Sequence, residues 1–327
     1  MNPNKSLISI DDNENKIKQF LMDLIVEPRI KALQWSQITH QTPNLKIGYP
    51  GQHLASLITG MTGVKTGARG DDLVDGTEVK SCSRVDQLDK CKDCDEKVLR
   101  VESACPKCNS VNIQRNNDSK WLFTIRNEND LSVLTKQVER VFLIISDYLD
   151  FESGNFDDIR IQAFEIWTHS PRNKNFNVLM SSYYEEIYSA HKQKNHKKTP
   201  APKNFWPYSF QFYMCNPIKV FSCVIKNAST NPDISIDHLV KPEESRLQIP
   251  SEQMPISVLS NSEIENLVES YPDIKLEKYK KIGKLTKTHI QEISSAIPFI
   301  TEDMRTHFDL RETGKISEAK LPYLRGQ

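Results

Sequence analysis

The chain has 327 residues, of which 43 are Lys or Arg and 43 are Asp or Glu, so its formal net charge is zero. This length can form one large domain or two smaller ones. The charge balance excludes a protein that binds nucleic acid through a large net positive charge, so any such affinity must come from local patches. The first 16 residues have no signal-peptide core, and the longest apolar runs are too short to cross a bilayer. We therefore expect a soluble, cytoplasmic bacterial protein.

The amino-terminal residues are predicted to be helical. Asp11-Asp12 precede an apolar stripe that extends from Ile17 to Ile25, which indicates a helix, and a second helix should follow Pro28. A third predicted helix covers Gln52–Met61. We expect residues 1–44 to form a helical segment in front of a larger domain.

The segment from Gly70 to Ser81 carries the strongest functional signal of the chain, Gly-Asp-Asp-Leu-Val-Asp-Gly-Thr-Glu-Val-Lys-Ser. Asp75-Gly76 predicts a hairpin whose second strand begins at Thr77. Because side chains alternate along a strand, Glu78 and Lys80 should share one face, where an Asp of the first strand can join them. Carboxylates this close repel each other unless a divalent cation lies between them. A Lys beside that cation can orient a water for attack on a phosphodiester, so the segment predicts metal-dependent phosphodiester hydrolysis.

Two neighbouring residues are candidates for the first carboxylate of this site. If a two-residue loop follows the strand Leu73-Val74, Asp71 lies opposite Lys80 and projects from the catalytic face. A three-residue loop or a bulge would place Asp72 there instead. Asp75 is assigned to the turn itself.

Two Cys-x-x-Cys pairs follow, Cys91-Lys-Asp-Cys94 and Cys105-Pro-Lys-Cys108. Four thiolates at this spacing suit a tetrahedral zinc ion, and a reducing compartment disfavours the alternative of two disulfides. The predicted zinc knuckle interrupts the chain before the next expected strand, Trp121–Arg126. We therefore interpret residues 82–120 as an insertion that the metal stabilises.

The hairpin resembles the active site of the PD-(D/E)xK nuclease superfamily, which includes many Type II restriction endonucleases. Asp72-Leu73 and Glu78-Val79-Lys80 match its pattern, although Asp71 stands where the family usually has Pro. The resemblance implies that Asp72, Glu78 and Lys80 are catalytic and favours Asp72 over Asp71 as the first ligand. These nucleases often place a metal-supporting acid on the preceding helix, whereas this chain has Gln52 and His53 there.

The elements after the knuckle agree with the αβββαβ core that the resemblance implies. A helix is expected at about Asp130–Glu139, between the strand Trp121–Arg126 and the strands Arg140–Ser146 and Asp158–Trp167. We predict an α/β (α+β) fold with a mixed central sheet, an inserted zinc knuckle and a helical carboxyl-terminal region. The nuclease core should cover residues 45–190.

An acid-free stretch runs from His191 to Lys226 and contains seven Lys. DNA contacts are predicted for one Arg and four Lys, namely Arg84, Lys192, Lys194, Lys197 and Lys198. The alternative is a solvated linker followed by a buried strand, because the aromatic residues of Phe205–Tyr213 alternate. We expect residues 191–327 to comprise this basic linker, strands and a helical region for recognition or dimerisation, with helices at Ser262–Ser270 and Thr286–Ala296.

The run from Gly67 to Arg84, followed by the knuckle, resembles the MamI-type group of Type II restriction endonucleases. That resemblance implies a homodimer that cuts double-stranded DNA at a short palindromic sequence with magnesium, which Asp71, Asp72 and Glu78 would bind. It also implies a DNA methyltransferase that acts on the same site. Three alternatives stay open: a repair or junction nuclease with the same core, a non-catalytic zinc-containing DNA-binding protein, and a metal protein unrelated to DNA.

Overall fold

The computed structural model describes residues 1–65, 71–197, 199–282 and 284–310. The strands within these ranges are, in chain order, β1 (Thr77–Ser83), β2 (Asp89–Cys91), β3 (Lys97–Val98), β4 (Ile113–Gln114), β5 (Trp121–Phe123), β6 (Arg140–Asp150), β7 (Asn155–Trp167), β8 (Lys203–Phe205), β9 (Ile218–Lys226), β10 (Asp233–Leu239), β11 (Met254–Pro255) and β12 (Phe299–Ile300).

The helices in the same ranges are α1 (Asn13–Leu21), α2 (Glu27–Thr39), α3 (Gly48–Thr59), α4 (Glu128–Ser132), α5 (Lys174–Ser182), α6 (Ala190–Lys194), α7 (Phe210–Met214), α8 (Asn261–Ser270), α9 (Glu277–Lys280), α10 (Lys287–Ala296) and α11 (Glu302–Arg305). Wider π-helical turns at Met22–Val26, Val133–Gln137 and Tyr183–Ser189 continue α1, α4 and α5. None of the described helices is both long and apolar enough to cross a bilayer.

Five strands form the central sheet in the order β1-β6-β7-β9-β10. β1 runs parallel to β6, whereas β6 and β7 are antiparallel, as are β9 and β10. The predicted α+β class with a mixed central sheet is confirmed. The sheet takes β9 and β10 from beyond residue 190, where the sequence expected the core to end.

The middle of the sheet is buried. Every residue of β6 from Arg140 to Tyr148 is buried, and β7 is buried from Ile161 to its end. Such continuous burial requires cover on both faces, which explains the nearly unbroken apolar pattern of β6. On the β1 side, α3 packs against β1, and α1 packs against α3.

Two predicted strands differ from the structure. The expected core strand Trp121–Arg126 is shortened to β5 and pairs with β8 in a separate two-stranded sheet, because β1 and β7 already occupy both edges of β6. The expected strand Phe205–Tyr213 ends at Phe205 and continues as α7. Ser209 caps this helix, since its hydroxyl accepts a hydrogen bond from the backbone N–H of Phe212.

Several other expectations are confirmed. Strands β6 and β7 are present and longer than predicted, and α8 and α10 lie where helices were expected. The aromatic residues after Lys203 are largely buried, with Phe205, Phe210 and Phe212 fully so. Ser260 and Glu263 form a capping box that fixes the start of α8.

The described chain divides into two compact units that interleave along the sequence. The first contains residues 1–121, 137–167 and 219–248, and therefore most of the central sheet and the cysteine region. The second contains residues 122–136 and 168–218 and the described residues from 249 onward.

Candidate active site and metal centre

The turn before β1 has the longer of the two loops that the sequence allows. Leu73 bridges Thr77 around the three-residue loop 74–76, and the backbone N–H of Asp72 donates to the carbonyl of Thr77 at 2.7 Å. Of the two alternatives that the sequence left open, the chain therefore adopts the three-residue loop, and the register that would place Asp71 opposite Lys80 is not formed. Gly76 has a φ of +83°, which side-chain-bearing residues rarely adopt, so the loop closes at a glycine.

The longer loop brings the Asp72 carboxylate to β1. Its Oδ2 accepts the backbone N–H of Val79 at 2.7 Å, and its Oδ1 accepts the side-chain amide of Gln52 at 2.6 Å. Asp72 is half-buried, whereas Asp71 is exposed. With one donor on each oxygen, the Asp72 carboxylate is held in one orientation beside Glu78.

Glu78 and Lys80 lie on the same face of β1, as strand alternation predicts. The Lys80 ammonium contacts the Glu78 carboxylate directly, and these side chains are 28% and 15% exposed. Val79, between them, points into the core and is buried. The pair is therefore partly shielded from water but can still be reached by a substrate.

The electrostatics of this cluster favour a cation. Burial raises the pKa of Glu78 above its ordinary value, and the charges of Asp72 and Asp71 raise it further against the opposing effect of Lys80. Burial also raises the pKa of Asp72, with Asp71 adding to the rise while the Val79 N–H and Lys80 oppose it. Burial and the charge of Asp75 raise the pKa of Asp71. A nearby cation would favour the ionised forms of these carboxyls, and carboxylate oxygens are the donors that a hard divalent cation binds.

The helix α3 supplies a contact that the sequence did not assign. Gly51 lies so close to β1 that an added Cβ would be 1.8 Å from Ser81 Oγ, so only glycine allows this approach. The close packing brings the next residue, Gln52, within reach of Asp72. Gln52 stands where PD-(D/E)xK nucleases often have an acid, and its side-chain amide binds Asp72. His53 is exposed and lies near Phe20 instead.

The four cysteines of the two pairs meet at one point. The Sγ atoms of Cys91, Cys94, Cys105 and Cys108 all lie within 4.8 Å of one another. The Cys91–Cys108 and Cys94–Cys105 sulfur distances are 3.6 and 3.5 Å. A tetrahedral zinc ion with bonds of about 2.3 Å would separate its sulfurs by about 3.8 Å. The four thiols therefore fit such an ion with little rearrangement.

Each cysteine pair sits on the same kind of turn. The backbone N–H of Asp95 donates to Cys91 O, and that of Asn109 donates to Cys105 O. Both residues that close these turns have a positive φ, 61° and 57°. With the three strands in the order β3-β2-β4, these turns form a small ribbon, residues 89–116.

A buried ion cluster, rather than a large apolar core, fixes the base of this ribbon. The Asp89 side chain is fully buried and binds Arg100 at 2.9 Å and Arg115 at 2.7 Å. The Arg100 guanidinium lies over the rings of Tyr148, Phe151 and Phe156 at 5.5, 5.2 and 4.8 Å. These aromatic residues belong to β6, β7 and their connection, so Arg100 docks the ribbon onto the central sheet.

The predicted DNA-contacting residues lie in different settings. Arg84 directly follows β1 and is half-buried. Lys192 and Lys194 lie on α6, Lys197 follows that helix, and Lys194 and Lys197 are exposed. Lys198 lies outside the described residues. The first residues of the expected linker are thus helical.

Comparison with known proteins gives two matches. A sequence model of the family described as MamI restriction endonuclease matches residues 34–257, more than half of the chain. The Type II restriction enzyme MamI of Microbacterium ammoniaphilum is 31% identical over 74 residues, which cover 23% of this chain and 24% of that enzyme. The alignment thus spans about a quarter of the curated relative. No solved structure gives a significant match.

Proposed function

Because the chain belongs to the MamI restriction endonuclease family, we propose that it is a Type II restriction endonuclease that hydrolyses double-stranded DNA at a specific short sequence with magnesium. The observation that carries the proposal is the meeting of Asp72, Glu78 and Lys80 at the start of β1. A non-catalytic DNA-binding protein would have no use for carboxylates that burial and mutual repulsion disfavour.

The roles of these residues follow from their surroundings. Asp72 and Glu78 would hold magnesium, with the exposed Asp71 available as a further oxygen donor. When bound, magnesium would polarise the scissile phosphate and ease deprotonation of a water. Lys80 would orient the attacking water, since its ammonium is held beside Glu78 and can donate several hydrogen bonds. Gln52 would keep Asp72 in its ligand orientation.

The second metal would be structural. We assign zinc to Cys91, Cys94, Cys105 and Cys108 because four thiolates at tetrahedral spacing exclude a free position for substrate. The ribbon core contains Cys91, Val98 and Cys105, with Cys94 and Ile113 packed against it. So small a core cannot stabilise the ribbon alone, and the metal would supply the missing free energy.

DNA strand cleavage tests the catalytic assignment. Glu78→Ala and Lys80→Ala should each lower magnesium-dependent cleavage of plasmid DNA by at least about two orders of magnitude, with DNA binding largely kept. A chelator should abolish cleavage by the wild type. Glu14 and Lys18, an exposed pair on α1 at 2.8 Å, provide matched controls, and their alanine variants should cleave normally.

Near-normal cleavage by Glu78→Ala or Lys80→Ala would overturn the site. Cleavage of every duplex without sequence preference would favour a repair or junction nuclease instead. Binding without cleavage, with the chelator having no effect, would favour a non-catalytic protein.

The proposed partners are double-stranded DNA, a second copy of the chain and a methyltransferase of the same specificity. For DNA, we propose phosphate contacts by Lys192, Lys194, Lys197 and Lys198 and by Arg84. Changing the four Lys to Gln should flatten the dependence of log affinity on log salt by up to about four units, because each phosphate contact contributes about 0.9. The sequence preference should survive. An unchanged slope in a salt titration would identify these residues as a solvated surface.

A further inference from the structure

Four charged side chains form a buried chain that begins at the active-site turn. Asp75 Oδ2 lies 2.6 Å from Arg140 Nη2, Arg140 Nη1 lies 2.8 Å from Glu165 Oε1, and Arg246 Nε lies 3.3 Å from Glu165 Oε2. The exposed fraction of these side chains is 7% for Asp75 and zero for the other three. Charges of alternating sign can be buried only while every partner is present.

These ion pairs lie at the end of the central sheet where β1 and the candidate active site begin. Arg140 opens β6 and lies opposite Thr77 on β1 and opposite Trp167 at the end of β7. Trp167 donates its indole N–H to Glu165 at 2.8 Å. Arg140 and Arg246 lower the pKa of Glu165 although burial opposes them, so this carboxyl is ionised. These ion pairs therefore hold together the start of β1, the start of β6 and the end of β7.

Asp75 is the member of these ion pairs that reaches into the turn. One of its carboxylate oxygens binds Arg140, and the other accepts the Thr77 hydroxyl at 2.6 Å. Arg140 Nε also donates to that hydroxyl at 3.0 Å. Gly76, next to Asp75, accepts the backbone N–H of Glu139 at 2.9 Å. The turn is thus fixed to the start of β6 by side chain and backbone.

The turn sets the relation between the two carboxylates of the proposed metal site. Asp72 precedes the loop and Glu78 follows it. The Asp72 carboxylate reaches the Val79 N–H only while Leu73 stays paired with Thr77. If the loop shortened by one residue, the register would become that of the two-residue alternative, in which Asp72 faces away.

We propose that Asp75 is a positioning residue for metal binding. By holding the loop to Arg140, it keeps Asp72 beside Glu78 before any metal arrives. The inference rests on the proposed function, because it takes Asp72 and Glu78 as the magnesium ligands. It assigns to Asp75 more than the turn-forming role that its sequence suggests.

The test compares Asp75→Asn with Trp167→Phe. The first variant keeps the shape of the side chain but loses its charge toward Arg140. The second loses one hydrogen bond to Glu165 and shortens the ring that lies 5.1 Å from the Arg140 guanidinium, but it removes no charge and leaves the Asp75–Arg140 pair in place. Both should lower the melting temperature, so stability alone does not separate a positioning role from a structural one.

Two further readouts separate these roles. In Asp75→Asn, amide hydrogen exchange at Val79 should become at least about tenfold faster, because its acceptor on Asp72 is no longer held. The magnesium concentration for half-maximal cleavage should rise about tenfold, with most of the rate recovered at saturating magnesium. Trp167→Phe should change neither quantity by more than about twofold.

The outcomes distinguish this inference from the proposed function. Unchanged Val79 exchange in Asp75→Asn, or equal changes in both variants, would overturn the positioning role whether or not the protein cleaves DNA. If Glu78→Ala is inactive while Asp75→Asn keeps the wild-type magnesium dependence, the positioning role fails and the catalytic site stands. If Glu78→Ala cleaves normally, the catalytic site fails, and with it the role of Asp75 in metal binding.

Discussion

The cysteine ribbon and the active-site turn both hold repelling groups close together, but they are stabilised differently. Both gather groups that repel or are costly to bury, and both rest on buried ion pairs, Asp89 with Arg100 in the ribbon and Asp75 with Arg140 at the turn. The ribbon has little apolar core of its own. The turn instead borders β6, whose residues are buried along most of the strand. We infer that the ribbon needs the proposed zinc to fold, whereas the turn is folded before the proposed magnesium binds.

Removing the ribbon metal should give the largest effect. Purified protein should contain one zinc per chain, and Cys105→Ser should lose it, because three thiolates and a hydroxyl bind zinc far more weakly. Backbone amides of residues 89–116 should then lose their protection in hydrogen exchange, while those of β6 keep it. Elemental analysis and exchange mass spectrometry measure the two effects.

Cys223→Ala is the matched control for this comparison. Cys223 is fully buried in β9 and lies outside the four-cysteine cluster. Its variant should keep the full zinc content even if it melts at a lower temperature. If reduced, freshly purified wild-type protein contained no zinc, the inference that the ribbon needs a metal to fold would be wrong.

The same two regions show what the sequence could and could not predict. The cysteine pairs and the strand that holds Glu78 and Lys80 were found because their signals are local in sequence. The sequence left the loop length open because it depends on a contact of Asp75 with Arg140, 65 residues further along the chain. No pattern around Asp75-Gly76 reports a partner at that distance.

Long-range packing also explains the other differences. Gln52 reaches Asp72 only because Gly51 lets α3 approach Ser81, a closeness that no helical periodicity encodes. The strand Trp121–Arg126 has a normal β pattern, yet both edges of β6 are already occupied. Local propensity thus identified most elements, while tertiary competition decided which strands joined the central sheet.

A smaller effect on cleavage should come from replacing Gln52. It tests whether the turn is already ordered before magnesium binds. Gln52→Ala removes one of the two donors that fix the Asp72 carboxylate, and one hydrogen bond to a charged group is worth about 1.5 kcal/mol or more. We expect cleavage at limiting magnesium to fall about tenfold, with an unchanged zinc content. His53→Ala, an exposed neighbour on the same helix, is the control. Equal effects of both variants would show that α3, rather than the Gln52 amide, matters.

The smallest effect concerns stability and pH at Glu78. Its pKa is raised in the folded protein, chiefly by burial and in addition by Asp72 and Asp71. Below its unfolded-state pKa the Glu78 carboxyl is protonated in both the folded and the unfolded state, so it does not change the free energy of unfolding. As the pH rises through that value and then through the folded pKa, the folded protein loses stability, because ionisation is easier in the unfolded chain. This loss of folding stability persists at neutral pH.

Glu78→Gln should therefore stabilise the metal-free protein near neutral pH while abolishing cleavage. We expect its melting temperature to exceed that of the wild type by about 1–2 °C at pH 7.5. The difference should disappear below the ordinary carboxyl range, about pH 4. Magnesium should raise the melting temperature of the wild type more than that of the variant, since a ligand of the folded state stabilises it. The exposed Glu14→Gln variant should follow the wild type at every pH. A Glu78→Gln protein that melts at a lower temperature than the wild type at pH 7.5 would mean that the contact with Lys80 stabilises the charge more than burial destabilises it. In that case the metal-free protein would not be destabilised by a charge that a bound cation neutralises.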